Sequence, residues 1–259
     1  MMNTFDRYRG QTPYTVVLLH GHGLNRTYFR PLCERLREDG ISHMALDLPG
    51  YGFARDVDCG SYAEIADYVQ RIVDGENLDD IVFAGYSYGG FISLVMNDRL
   101  PDRVRGLILM ASSYEISVRT LRLSFALTRF PLYTAINEAC WLKWKEGRMD
   151  YDLGAVSECA GNCEMVVHSS IATNRRNMLK NADIMKKQSL REYVHRVHVP
   201  TLIIQPSRCQ FFSRYSYDYL AHNIRGSRRV AVNAPHNIAP AWDEVHAAIR
   251  AFNSGVSFV

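Results

Sequence analysis

The chain has 259 residues, 47% of them hydrophobic, 22% charged and 11% aromatic. This length and balance allow a full core without disulfide or metal staples. They exclude disorder, collagen and coiled coil as the main state. A formal net charge of +3 is too small to argue for nucleic acid or a membrane surface as partner.

No stretch reaches the roughly eighteen consecutive apolar residues of a membrane span. Residues Met1 to Pro13 are polar and lack the apolar core of a signal peptide. Cysteines stand at 33, 59, 140, 159, 163 and 209. Cys159 and Cys163 form the closest pair, but no second pair or histidine cluster completes a zinc site. The expectation is a set of reduced thiols in a cytoplasmic protein, with no metal and no organic cofactor.

Val16–Leu19 is an uninterrupted apolar run closed by His20-Gly21-His22-Gly23, as suits a buried parallel strand. Leu32 and Leu36 then follow helical spacing up to Gly40. Ile41 to Leu48 reads as a second strand, closed by Pro49-Gly50. Ser61 and Glu64 form a capping box ahead of a helix carrying Ile65, Val69, Ile72 and Val73. Ile81–Ala84 is a third strand, and Phe91 to Leu100 is an apolar helix that ends before Pro101. Val104–Ala111 is a fourth strand.

The alternation then pauses for about 85 residues with helical stretches only, too long for a structureless loop. It resumes with a strand at Thr201–Ile204, a helix over Tyr215–Asn223, a strand at Arg229–Val232 and a last helix around Pro240–Asn253. The pattern predicts an α/β fold: a mostly parallel sheet of about six strands, covered by helices on both faces. Residues 1–112 and 199–259 would form the core. Residues 113–198 would be a helical lid inserted after the strand at 104–111.

The strongest chemical signal is Gly85-Tyr86-Ser87-Tyr88-Gly89, between an apolar strand and an apolar helix. That context defines a nucleophile elbow. A sharp strand-to-helix turn strains the serine backbone, and glycines on either side relieve the crowding. The serine hydroxyl is lifted to a helix N-terminus, where the backbone N–H of Tyr88 faces a forming oxyanion. The turn at 20–23 can supply a second amide, that of His22. His236 follows the last strand, in the place of a general base. His20 and His22, two apart on a turn without a third ligand, make a poor metal site.

These motifs, with Leu46-Asp47-Leu48-Pro49-Gly50-Tyr51-Gly52 and Pro200-Thr201-Leu202-Ile203-Ile204, resemble the α/β-hydrolase fold over nearly the whole chain. The resemblance implies Ser87 as nucleophile, His236 as general base, and the Tyr88 and His22 amides as oxyanion hole. It leaves Asp47 a structural role in its turn. Only about 13 residues precede the first strand, so the family's N-terminal hairpin would be short or missing.

The departure lies in the acid. Family members follow the Pro-Thr-Leu-Ile-Ile strand with a glycine and, three positions later, an aspartate. Here Pro206 and Cys209 hold those places, and the alternative slot near Ala111 is not acidic either. Three readings stand. Ser87 and His236 work as a dyad, with a neutral group or water orienting the imidazole. Or Glu115 is a displaced acid. Or Cys209 is a thiolate partner, or a change that leaves little activity.

Residues 115–198 hold 13 Lys and Arg against 9 Asp and Glu, while the rest of the chain is nearly neutral. The segment also carries Phe125, Leu127, Phe130, Leu132, Tyr133, Ile136, Trp141, Leu142 and Trp144. These residues either form lid core under a solvated charged face, or line an acyl channel. In the second case Arg119, Arg122, Arg129, Lys143, Lys145 and Arg148 would sit outside it.

The expected activity is hydrolysis of a small carboxylic ester or thioester, including a carrier-bound one, through an acyl-enzyme on Ser87. Acyl transfer or cyclisation from the same acyl-enzyme, and ligand binding without catalysis, are the alternatives.

Overall fold

The computed structural model describes residues 4–116, 131–149 and 171–254. Seven strands form one sheet: β1 (Phe5–Tyr8), β2 (Thr15–Leu19), β3 (His43–Leu46), β4 (Ile81–Tyr86), β5 (Val104–Met110), β6 (Thr201–Arg208) and β7 (Arg228–Pro235). Their order across the sheet is β1-β3-β2-β4-β5-β6-β7. All neighbours are parallel except β1, which pairs antiparallel with β3 at the edge. This is the expected α/β architecture with one strand more. β1 has no apolar run, because an edge strand half open to solvent needs none; its burial pattern is mostly intermediate.

Helices cover both faces, as the strand alternation requires. Val17, Leu19, Phe83 and Leu109 face one way, into α2 (Tyr62–Gly75) and α3 (Tyr88–Arg99). Val16, Leu18, Val82 and Ile108 face the other way, into α1 (Arg30–Glu38) and a C-terminal helix at Trp242–Ser254. Ser61 caps α2 by accepting from the Glu64 amide, as its sequence position predicted.

Between β5 and β6 the described residues form three helices: α4 (Pro131–Lys145), α5 (Arg175–Lys187) and α6 (Arg191–His195). Two more follow in the core, α7 (Arg214–Asn223) and α8 (Trp242–Ser254). The α5 helix is tied to the loop after β3. Asn177 Nδ2 donates to the carbonyls of Arg55 and Val57 at 3.0 and 3.2 Å, and Asn181 Nδ2 to that of Pro49 at 2.9 Å. The α4 helix docks on the same loop through the Arg55–Glu138 ion pair at 2.5 Å.

β6 runs past its predicted end at Ile204. β5 pairs with it only through Ile204, so Pro206 breaks no ladder bond on that side. On the other side the register against β7 shifts between Pro206 and Arg208. That irregularity delivers the chain to Cys209 at the C-terminal edge of the sheet.

Candidate active site

β4 ends in a turn that leaves Ser87 at φ 51° and ψ −111°, directly before α3. A non-glycine residue in that region is strained and persists only where its surroundings hold it. Here the Ser87 amide donates to the Met110 carbonyl at 2.8 Å, and the Ser87 carbonyl accepts from Ser112 Oγ at 2.8 Å and from the Gly90 amide at 3.0 Å. The flanking glycines are required by space. A Cβ on Gly85 would overlap the Gly89 backbone, one on Gly89 the Leu19 carbonyl, and one on Gly90 the Ser112 hydroxyl.

The loop after β7 brings His236 to this turn. Its Nε2 lies 3.0 Å from Ser87 Oγ. Its backbone is held by the Gln210 side chain, which accepts from its N–H at 3.1 Å, and by Tyr86, whose hydroxyl donates to its carbonyl at 2.9 Å. The rings of Phe211, Phe212 and Tyr86 wall the imidazole at centroid distances of 4.4, 5.5 and 5.5 Å. His236 is only 6% exposed, and burial pushes its pKa down to about 3, so it is a neutral base at ordinary pH.

The opposite ring nitrogen, Nδ1, lies 3.3 Å from Cys209 Sγ. Glu115, the displaced-acid candidate, is placed elsewhere: it is exposed, and its carboxylate accepts from Ser189 Oγ at 3.5 Å. Sequence reasoning gave no role to Ser112 or Gln210. Ala111-Ser112-Ser113 is a small-residue run at a strand end whose spacing assigns no bond to Ser112, and Gln210 carries no local signal.

The first turn is built from two histidines with different work. His20 is fully buried. Its Nδ1–H donates to the Gly21 carbonyl at 2.8 Å and its Nε2 accepts from the Leu48 amide at 2.9 Å, which fixes its tautomer. Burial holds it near 3. The His22 Nε2–H donates to the Met178 carbonyl of α5 at 3.0 Å, and its ring meets Tyr51 and Tyr88 edge-on. Burial lowers His22 to about 4. Both rings are spent on the protein's own carbonyls and amides. Among the described residues no group of three or more His, Cys, Asp or Glu could hold a metal ion.

Asp47 is buried in the turn after β3. It pairs with the Arg26 guanidinium and accepts from the amides of Arg26 and Phe53 at 2.8 and 2.9 Å. Burial pushes its pKa up, while Arg26 and those amides pull it down. This is structural work, and Gly52 at φ +55° leaves the room that the carboxylate occupies.

Two of the aromatics considered for an acyl channel pack on the core loop instead. Trp141 is 7% exposed, stacks on Trp144 at 5.1 Å, and lies under the Arg55 guanidinium at 4.5 Å. Phe53 completes that cluster. Ile136 and Leu142 are exposed. Phe125, Leu127, Phe130, Arg119, Arg122 and Arg129 lie outside the described residues, as do Cys159 and Cys163. Lys143, Lys145 and Arg148 are exposed on or just past α4. Cys33, Cys59, Cys140 and Cys209 are free thiols. No helix among the described residues is long and apolar enough to cross a membrane.

Residues 14–134 match the family model described as alpha/beta hydrolase fold. Solved structures resemble the chain along nearly its whole length. An enol-lactonase from Burkholderia xenovorans superposes with a TM-score of 0.78 at 18% identity, over 96% of this chain and 95% of that one. A hydrolase from Pseudomonas aeruginosa gives 0.76 at 18% identity, over 96% and 92%. An esterase from Exiguobacterium antarcticum gives 0.74 at 19% identity, over 96% and 94%. The chain has the α/β-hydrolase fold.

Proposed function

We propose that the protein is a serine hydrolase that cleaves a small carboxylic ester or thioester through an acyl-enzyme on Ser87. One observation carries this reading: the strained Ser87 hydroxyl lies 3.0 Å from the Nε2 of a buried, neutral imidazole. In this mechanism His236 takes the Ser87 proton as the hydroxyl attacks the carbonyl, then delivers it to the leaving group. The backbone amides of Tyr88, at the start of α3, and His22 hold the oxyanion. Water activated by His236 then releases the acyl group.

Residues 113–198 act as the lid in this reading. Its support is that α5 is bonded to His22, in the turn proposed to hold the oxyanion. Substrate choice then rests with the inserted segment, and a carrier-bound ester would meet the basic side chains Lys143, Lys145 and Arg148 outside. The likeness to an enol-lactonase and an esterase places lactones beside open-chain esters and thioesters in the first substrate panel.

A fluorophosphonate probe tests the reading directly. The wild-type chain should be labelled at Ser87 and turn over some member of the panel. Ser87→Ala should do neither. Turnover retained in Ser87→Ala would overturn the proposal. Product analysis with an added amine or alcohol separates hydrolysis from acyl transfer.

A further inference from the structure

We infer that Cys209 is a positioning residue that holds the His236 imidazole in its base-competent tautomer by accepting the Nδ1 proton on sulfur. The inference rests on Ser87 and His236 acting as proposed above.

The argument begins with proton placement. A neutral imidazole carries one N–H. For Nε2 to accept from the Ser87 hydroxyl, that N–H must be on Nδ1. A buried N–H needs an acceptor, and the one at Nδ1 is Cys209 Sγ at 3.3 Å. The same sulfur accepts from the Phe212 amide at 3.5 Å. The buried Tyr217 hydroxyl also neighbours it. The Phe212 amide thus already uses this sulfur as an acceptor. The other tautomer, with S–H donating to Nδ1, would put a proton on Nε2 and block its action as a base.

Ring position follows from the same contact. The walls around His236 are the Phe211, Phe212 and Tyr86 rings, which pack on its faces without bonding Nδ1. The backbone bonds to Gln210 and Tyr86 fix the residue but not its tautomer. Cys209 alone among these neighbours touches Nδ1.

Cys209 lines a cavity of about 580 Å³ with Gln205, Ser207, Arg214 and Arg229, whose lining does not include Ser87 or His236. A small thiol reagent can therefore modify Cys209. With methyl methanethiosulfonate, the Cys209 sulfur bonds to the reagent's sulfenyl sulfur. Methanesulfinate leaves, and the thiol proton goes to solvent. The added methylthio group crowds the contact with Nδ1.

The test measures the rate of Ser87 labelling by a fluorophosphonate, which needs no knowledge of the natural substrate. Cys209→Ala should slow labelling at least tenfold with the probe's binding constant within about twofold, and Cys209→Asp should restore the rate. A purely structural role would not predict rescue by a carboxylate. Should Cys209→Ala fail to fold by its melting curve, the reagent answers the question on the folded wild type. Labelling should slow after methyl methanethiosulfonate, recover with dithiothreitol, and be insensitive to the reagent in Cys209→Ser. That last control assigns the effect to Cys209 over the other free thiols. Undiminished labelling in a folded Cys209→Ala chain, or in the modified wild type, overturns the positioning role. If the unmodified wild type is not labelled at all, the serine-hydrolase reading fails first and this inference falls with it.

Discussion

The side chain of His22 reaches out of the first turn and donates its Nε2–H to the Met178 carbonyl on α5, 156 residues further along the chain. The turn proposed to supply an oxyanion-hole amide is thereby tied to the inserted helical segment. Asn177 and Asn181 fasten the same helix to the loop after β3. The first turn, the inserted helix and the loop after β3 share one hydrogen-bonded seam.

His22→Phe keeps the ring packing on Tyr51 and Tyr88 but removes that bond. A typical net hydrogen bond is worth about 1 kcal/mol, so global stability should fall by roughly that amount. The local effect should be larger. Amide hydrogen exchange across Arg175–Lys187 should speed up more than exchange in β4 or β5, and mass spectrometry by segment reads the difference.

Acid should destabilise the fold through its buried histidines. His20 and His236 are held near 3, while unfolded imidazoles titrate near 6.5. Between those values the unfolded chain binds more protons, so stability rises with pH there. The contribution is complete above the unfolded value and is lost as pH falls toward 3. Each of the two adds up to about 1.4 kcal/mol per pH unit within that window. Urea unfolding from pH 7 to 4.5 should show the decline, and His236→Gln should make it shallower. A flat profile would contradict the burial argument.

The rate should show the opposite face of the same shift. A base held near 3 is already deprotonated at pH 5. The rising limb of kcat/KM should therefore lie well below the ordinary imidazole range. Cys209→Asp should move that limb upward by about 1–3 pH units, because a carboxylate favours the imidazolium. Glu115→Gln should move neither the limb nor the plateau, since Glu115 is exposed and bonded to Ser189.

Gly89→Ala should be among the most damaging single changes in the chain. Its Cβ would overlap the Leu19 carbonyl of β2, and backbone cannot step aside as a flexible side chain can. Overpacking of this kind costs about 1–3 kcal/mol or more. The melting temperature should drop, and any folded fraction should label slowly at Ser87.

Asp47→Asn tests the buried pair with Arg26. It removes the buried partner and leaves Arg26 still paired with the exposed Asp6 at 2.7 Å, so the loss should lie at or below the roughly 3–5 kcal/mol of a broken buried pair. Stability should fall sharply. Substrate profiles of the folded fraction should stay unchanged, because Asp47 lies in the strand-end turn.

Local patterns carried most of the architecture. Apolar runs of strand length, each closed by turn residues, announced β2 through β6, and the Gly85–Gly89 spacing announced the elbow, because periodicity and glycine placement are local properties. β1 was missed because an edge strand needs no apolar run. The length of α3 was also underestimated, since it begins at Tyr88 within the glycine turn.

The amino-acid sequence by itself determined the α/β layering and named Ser87 and His236. By resemblance it also put Cys209 where the family's acid is expected. Only the tertiary structure decided what meets Nδ1 of His236. The 3.3 Å contact joins residues 27 positions apart, and it depends on the register shift in β6 and on the loop after β7. It also decided that Trp141 packs on Arg55 and that Glu115 faces outward. Such choices depend on which distant segments meet, and no local spacing encodes that.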